Sequence, residues 1–244
     1  MIPITASDCT DASSADANPV ACSNCALRDV CMPSDLTPAD FERLDALVCR
    51  SRKVARGERL HRQGDAFRNL YAIKAGAFKT VVTLRDGREQ ITGFHIAGEP
   101  LGLDGIHAGE HTADAVALED GMLCIIPFGR LERLCAEMRP MQRHVHRLMS
   151  GEIVRSSQLM TLLGSMRAEE RVSAFLLNLS QRLRTLHHAH TEFKLRMSRE
   201  EIGSYLGMTL ETVSRMLSRF QDDKLIEVRG KQIRILDEDR LQRV

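Results

Sequence analysis

Between Gly57 and Pro127 the apolar positions fall in short runs punctuated by glycine. Gly64, Gly76, Gly87, Gly98, Gly109 and Gly121 recur every eleven or twelve residues, with LYAIKA, AFKTVVTL, EQITGFHI and MLCIIP between them. Turn residues at that spacing, separating β-rich runs, predict an antiparallel roll, sandwich or barrel. The runs do not resemble one another, so this is regular punctuation rather than an internal repeat. Near Pro140 the period becomes helical and stays so for over twenty residues. Along that helix His146, Met149, Ile153, Ser156, Met160 and Leu163 follow intervals of 3 and 4, the seam of a coiled coil. Val145, Leu148, Leu159, Leu162 and Met166 form a second stripe. Two stripes predict two contacts, one with the parent domain and one with a second copy of the chain. A shorter helix, TPADFERLDALV, precedes the β-rich region, with Thr37 as cap and Phe41, Leu44, Leu47 and Val48 on one face.

Another amphipathic helix, AEERVSAFLLNLSQRL, turns Val172, Phe175, Leu176, Leu179 and Leu183 inward. The HHAH that follows lacks a nearby carboxylate or cysteine pattern and reads as a solvated loop. Ser198 with Glu201 three residues later is a capping box that opens a helix through Leu206. Gly207 ends that helix and Thr209 caps the next, which makes a helix-turn-helix. In the second helix Val213, Met216, Leu217 and Phe220 share the inner face, leaving Glu211, Ser214, Arg215 and Ser218 outward. That half of the helix reaches base edges in this motif. Arginine can pair with guanine, and glutamate can accept from cytosine N4. LIEVRGKQIRIL then predicts a wing turning at Gly230, with Arg229 and Lys231 near its tip to meet phosphate.

Composition adds compartment and charge. The net charge of +1 on 244 residues announces no global field. Residues 166–244 carry 15 basic against 12 acidic side chains, a mild basic bias on the helix-turn-helix part. The first twenty residues, rich in Ser, Ala, Asp and Asn, read as a disordered lead without a secretory core. With no apolar run near membrane-span length, the chain is expected in the cytoplasm, where structural disulfides are rare. The seven cysteines are therefore candidates for metal chemistry.

Three of them sit in CSNCALRDVC: Cys22, Cys25 and Cys31. Zinc usually takes two close pairs of ligands, whereas iron–sulfur clusters commonly take several thiolates from one loop and another from afar. The loop spacing favours a cluster. Cys49, Cys124 and Cys135 are all candidates for the fourth ligand, and spacing does not choose among them.

CSNCALRDVCMP, ITGFHIAGE, LMSGEI, AEERVSAFLLNLS and IGSYLGMTLETVSRMLSRF, in this order and spacing, resemble the FNR family of oxygen-responsive transcription regulators, relatives of the cyclic-AMP receptor protein. The resemblance implies an α+β chain. A disordered lead (1–20) and a cluster-binding segment (21–50) precede a cyclic-nucleotide-binding-like antiparallel β-roll (51–137). A dimerisation helix (138–166) and a winged helix-turn-helix (167–244) complete it. It further implies a 4Fe–4S cluster on Cys22, Cys25, Cys31 and Cys124, leaving Cys9, Cys49 and Cys135 as bystanders. Glu211, Ser214 and Arg215 would read DNA at an inverted repeat of TTGAT-like half-sites, bound by a homodimer whose cluster oxygen converts. The turn Asp86–Gly87–Arg88 would touch RNA polymerase. The lead with Cys9 lies outside the shared pattern, and Ala26 and Ser156 stand where members of the family differ. A rival reading, a cyclic-nucleotide-responsive regulator, lacks an arginine in GEHTADAVAL, where Thr112 and Ala113 hold the phosphate-clamping positions. No cyclic nucleotide is therefore expected to bind. A second rival, an iron–sulfur enzyme or electron carrier, would have no use for a helix-turn-helix.

Overall fold

The structure, a computed structural model, describes residues 21–47, 50–186 and 189–244. The lead with Cys9, together with Val48, Cys49, His187 and His188, lies outside the described residues. The chain divides into two compact units. One comprises the residues up to Thr83 with Phe94–Ser150, the other Leu84–Gly93 with Gly151–Val244.

In the first unit, the cysteine segment forms a 3-10 turn at Cys22–Asn24 and a single helical turn, α1 (Arg28–Cys31). Helix α2 (Pro38–Leu47) follows, with Thr37 accepting from the Asp40 amide while the Asp40 carboxylate accepts from the Thr37 amide. Eight strands come next in the chain, of which β5 begins among the residues of the second unit: β1 (Arg50–Val54), β2 (Arg59–His61), β3 (Asn69–Ala75), β4 (Ala77–Thr83), β5 (Glu89–Ile96), β6 (Pro100–Leu101), β7 (Asp114–Ala117) and β8 (Gly121–Pro127). They make two sheets, β1-β8-β3-β6 and β2-β7-β4-β5. Val54, Ile73, Leu101 and Leu123 of one sheet meet Leu60, Phe78, Ala115 and Ala117 of the other. Each large apolar side chain fully buried there contributes about 1.5–3 kcal/mol.

A second core lies where α2 and β8 meet α3 (Phe128–Glu137) and the start of α4 (Arg139–Ser165). Leu44, Leu47, Leu70, Leu131, Leu134, Met138 and Met141 close around Cys22 and Cys124.

The second unit holds the rest of α4, α5 (Ala168–Thr185), β9 (Glu192–Lys194), α6 (Arg199–Leu206), α7 (Leu210–Asp222), β10 (Ile226–Arg229), β11 (Gln232–Ile235) and α8 (Glu238–Gln242). The capping box at Ser198 and Glu201 is present. Gly207 adopts φ 63°, the left-handed conformation that glycine takes without strain. A Cβ on Gly203 would stand 2.6 Å from the Met208 carbonyl oxygen, so only glycine lets α6 approach the turn this closely. Arg171 of α5 closes the motif, donating to the carbonyls of Leu163, Met166 and Leu206. The wing is a three-stranded sheet, β10-β11-β9, rather than a lone hairpin.

Candidate functional site: four cysteines and a DNA-facing helix

Asp45 of α2 anchors the start of the cysteine segment. Its Oδ1 accepts from the Cys22 amide at 2.5 Å and the Ser23 amide at 3.3 Å, and its Oδ2 accepts from the Ser23 hydroxyl at 2.8 Å. The Cys25 amide then returns to the Cys22 carbonyl, and the Arg28 amide to that of Cys25. The segment thus coils back on itself, carrying Cys22, Cys25 and Cys31 toward the second core. Cys124 reaches the same place from the middle of β8, opposite Ala72 and Ser51. Cys22 and Cys124 are buried, and Cys25 and Cys31 half-buried.

Three of the four thiols are shifted, in part by other cysteines of the set. Burial, then Asp45, then Cys124, Cys25 and Cys31 push Cys22 up to about 12. Burial, then Cys25 and Cys124 push Cys31 up to about 12. Burial raises Cys124 as well, with Cys25 adding and Lys74 opposing. Cys135 packs against the same core, but what raises its thiol is burial and Glu132. Cys22, Cys31 and Cys124 are thus each raised in part by other cysteines of the set, whereas Cys135 is not. Among the described residues, no three cysteine sulfurs lie within 4.8 Å of one another.

On α7, Val213, Leu217 and Phe220 are buried, Met216 is half-buried, and Glu211, Arg215 and Ser218 are exposed. The Thr209 hydroxyl caps the helix, accepting from the Thr212 amide. Glu211 is held below the usual carboxylate range by its own backbone N–H, then the Thr209 hydroxyl, with Arg215 adding. Arg215 donates to the Thr212 hydroxyl at 3.2 Å. Glu211 and Arg215 thus form a charged, helix-supported pair facing outward. Ser214 differs from the sequence expectation: it is half-buried, with Arg199 of α6 donating to its hydroxyl at 3.3 Å.

The region 170–244 matches the family described as Crp-like helix-turn-helix domain, and 51–138 the family described as Cyclic nucleotide-binding domain. The transcriptional regulatory protein btr of Bordetella pertussis is 45% identical over 216 residues, 88% of this chain and 89% of its own. The fumarate and nitrate reduction regulatory protein of Escherichia coli is 41% identical over 220 residues, 90% and 88% of the two chains. The chain belongs to the Fnr/Anr family of Crp-type transcription regulators.

This Fnr-family chain is a regulator and not an enzyme. FixK2 from Bradyrhizobium japonicum, a solved structure 31% identical, superposes with a TM-score of 0.73, covering 79% of this chain and 95% of its own. Among the described residues, no helix is long and apolar enough to cross a membrane.

The remaining expected positions fall as follows. On α4, His146, Met149, Ile153, Ser156 and Met160 are exposed, with Ile153 and Met160 each 67% open. Leu163 is half-buried, and its Cδ2 would lie 3.3 Å from a Cβ at Gly207. Asp86–Gly87–Arg88 is a hairpin turn with Gly87 at φ 83° and an Arg88–Asp86 ion pair at 2.7 Å. Of the wing cations, Arg229 pairs with Glu227 on its own strand and the Lys231 ammonium donates to the Arg196 carbonyl. Thr112 gives its amide and hydroxyl to the Asp104 carboxylate, so the position expected to clamp phosphate faces a negative charge. Folding does bring Arg59 and Arg62 beside it in an open groove of about 590 Å³, where Arg59 pairs with Asp114 at 3.2 Å.

Sequence reasoning missed the group His61, Asp104 and His111, whose donor atoms all lie within 4.8 Å. The two imidazoles stack at 3.5 Å and 14°. Ring lone pairs lie in the ring plane, so the stack sets them side by side rather than converging on one centre. It also missed Asp45 and His144, because only folding brings either residue to the cysteine segment.

Proposed function

We propose that this regulator senses oxygen through a 4Fe–4S cluster held by Cys22, Cys25, Cys31 and Cys124, and that the loaded chain dimerises through α4 to bind an inverted-repeat DNA site. The carrying observation is that Cys22, Cys31 and Cys124 gather at one apolar core, where burial raises all three thiols and Cys25 lies close enough to add to each shift. Thiols ligate metals as thiolates. Burial and mutual repulsion disfavour four thiolates here unless a cation compensates them.

The loop supplies three thiols and a distant strand the fourth, the arrangement iron–sulfur clusters commonly use, whereas zinc usually takes two close pairs. When bound, a cluster would supply an oxygen-labile centre whose loss frees four thiols. Asp45 keeps Cys22 in position, and the apolar side chains of Leu44, Leu131 and Met138 limit the approach of water.

Met149, Ile153, Val154 and Met160 are exposed on α4. Met149, Ile153 and Met160 fall on the sequence-predicted seam and would be covered by a second copy. Replacing Ile153 with Glu should weaken that dimer in sedimentation even without oxygen, because two like charges would meet across the axis. On DNA, Arg215 would pair with the guanine of a TTGAT-like half-site and Glu211 would accept from cytosine, with Ser214 a lesser contact. The negative Asp104 at Thr112 leaves no cyclic nucleotide expected, and a clear calorimetric titration with cyclic AMP would overturn that. The hairpin Asp86–Gly87–Arg88 is the proposed polymerase contact.

The deciding experiment is purification without oxygen, followed by iron and sulfide analysis. About four of each per chain are expected. Single Cys→Ser changes at 22, 25, 31 or 124 should abolish both, whereas Cys9, Cys49 and Cys135 should be dispensable. A Cys124→Ser chain that keeps its iron while Cys49→Ser or Cys135→Ser loses it would reassign the fourth ligand.

A further inference from the structure

The first turns of α4 grip the cysteine segment with two adjacent side chains. Arg143 pairs with Asp35 at 2.8 Å, and the ring of His144 hydrogen-bonds the backbone of Cys31, whose amide already donates to Leu27, so the carbonyl is the acceptor. The two contacts flank Met32, which is buried in the same core as Cys22, Cys124 and Met141.

They are not equivalent. Arg143 and Asp35 are more than half exposed, so water screens their attraction. His144 is 8% exposed, and its Nε2 has no partner. A neutral imidazole has one N–H to give, so the bond to Cys31 runs from Nδ1. Removing that donor would strand a carbonyl beside a proposed ligand, with little water to replace it.

From His144 the helix runs unbroken to Ser165. Ile153, nine residues on, lies about 13 Å further along the axis. His144 and the exposed apolar side chains of Ile153 and Met160 thus stand on one continuous helix.

We propose that His144 is the positioning residue that couples the Cys31 loop to the dimer-forming face of α4. This rests on the reading of Cys31 as a cluster ligand. The bond is a mechanical link, so its loss should spare the cluster and reduce the effect of the cluster on association.

The test compares the full-length wild type with H144L, H144N and H144Q, each purified without oxygen and then divided into loaded and iron-free samples. Asparagine puts an amide nitrogen where Nδ1 stands, and glutamine puts one where the unpartnered Nε2 stands. Iron content and the visible spectrum report the cluster, and sedimentation gives the dimer dissociation constant of each sample. All four proteins should carry wild-type iron with unchanged spectra. The ratio of iron-free to loaded dissociation constants should fall at least about fivefold in H144L and H144Q, and return toward wild type in H144N.

An H144L ratio equal to wild type would overturn the proposal, as would an H144L that folds but carries no iron. Should H144L not fold, the contrast between H144N and H144Q decides alone, and equal behaviour of the two overturns the link. A wild type without iron would instead refute the reading of the four cysteines, so the two failures are distinguishable.

Discussion

The winged helix and the cysteine core satisfy their polar groups in opposite ways. In the winged helix the helix starts are capped locally, Ser198 with Glu201, Thr209 with Thr212 and Glu211 with Thr209 and Arg215, each within four residues of its partner. Longer-range bonds from Arg171, Arg199 and Lys231 to carbonyl and hydroxyl oxygens complete it. At the cysteine core, α1 and the turn before it face a strand far along the chain, and the thiols that meet there are raised by burial and by each other. The contrast fits the proposed roles. A reading head can be complete in itself, whereas the proposed sensor would gain by keeping donor groups that an added cation stabilises.

The largest test of that contrast is to damage one region and measure the other. Leu206 is fully buried behind the recognition helix, so Leu206→Ala should cost about 2–5 kcal/mol of winged-helix stability. Iron content after anaerobic purification should stay at the wild-type level, and a parallel loss of iron would show that the two regions are not independent.

A smaller effect should separate them by pH. Burial, then the neighbouring His111, hold His61 down to about 4. Between pH 6.5 and about 4 the unfolded chain binds a proton that folded His61 refuses, so stability should fall as pH falls across that window. The group is 6% exposed, and the shift corresponds to about 3 kcal/mol at most. Below that window Asp104 takes over. It is held at about 2 by hydrogen bonds from His111 and the Thr112 amide against the opposing effect of burial, and the stability it contributes above pH 3.8 is lost as pH falls toward 2. Denaturant melts of the iron-free chain at pH 7, 5.5 and 4.5 should show the first slope in the β-roll, and His61→Phe should flatten it. An unchanged slope in that variant would assign the acid sensitivity elsewhere.

The smallest effect sharpens the reading head. Arg215→Ala should cost about 1–3 kcal/mol at a guanine-containing half-site and much less where that guanine is replaced. Binding isotherms of both proteins on both sites, without oxygen, separate the cases. Equal loss on both would make Arg215 a phosphate clamp, with a shallower salt dependence.

What could be read from the chain follows the same divide. The capping box, the Gly207 turn, the inward face of α7, the strand runs from Leu70 to Pro127 and the long helix α4 were all legible, because each rests on signals within one or two turns or one strand. Strand β1, written RSRKV, was not, because only its place beside β8 buries Ser51 and Val54, on opposite faces of the strand. The half-burial of Ser214 needed Arg199 brought across from α6.

The choice among distant cysteines marks the limit most clearly. Three thiols in ten residues raise the expectation of metal chemistry by themselves, since structural disulfides are rare where thiols are kept reduced. Which distant thiol stands with them depends on how β8 packs over α2, a matter of register and core packing that no local pattern encodes. The same holds for Asp45 beneath Cys22 and His144 beside Cys31. Sequence carries what nearest neighbours along the chain enforce, and folding alone decides which groups far apart in the chain share one low-dielectric space.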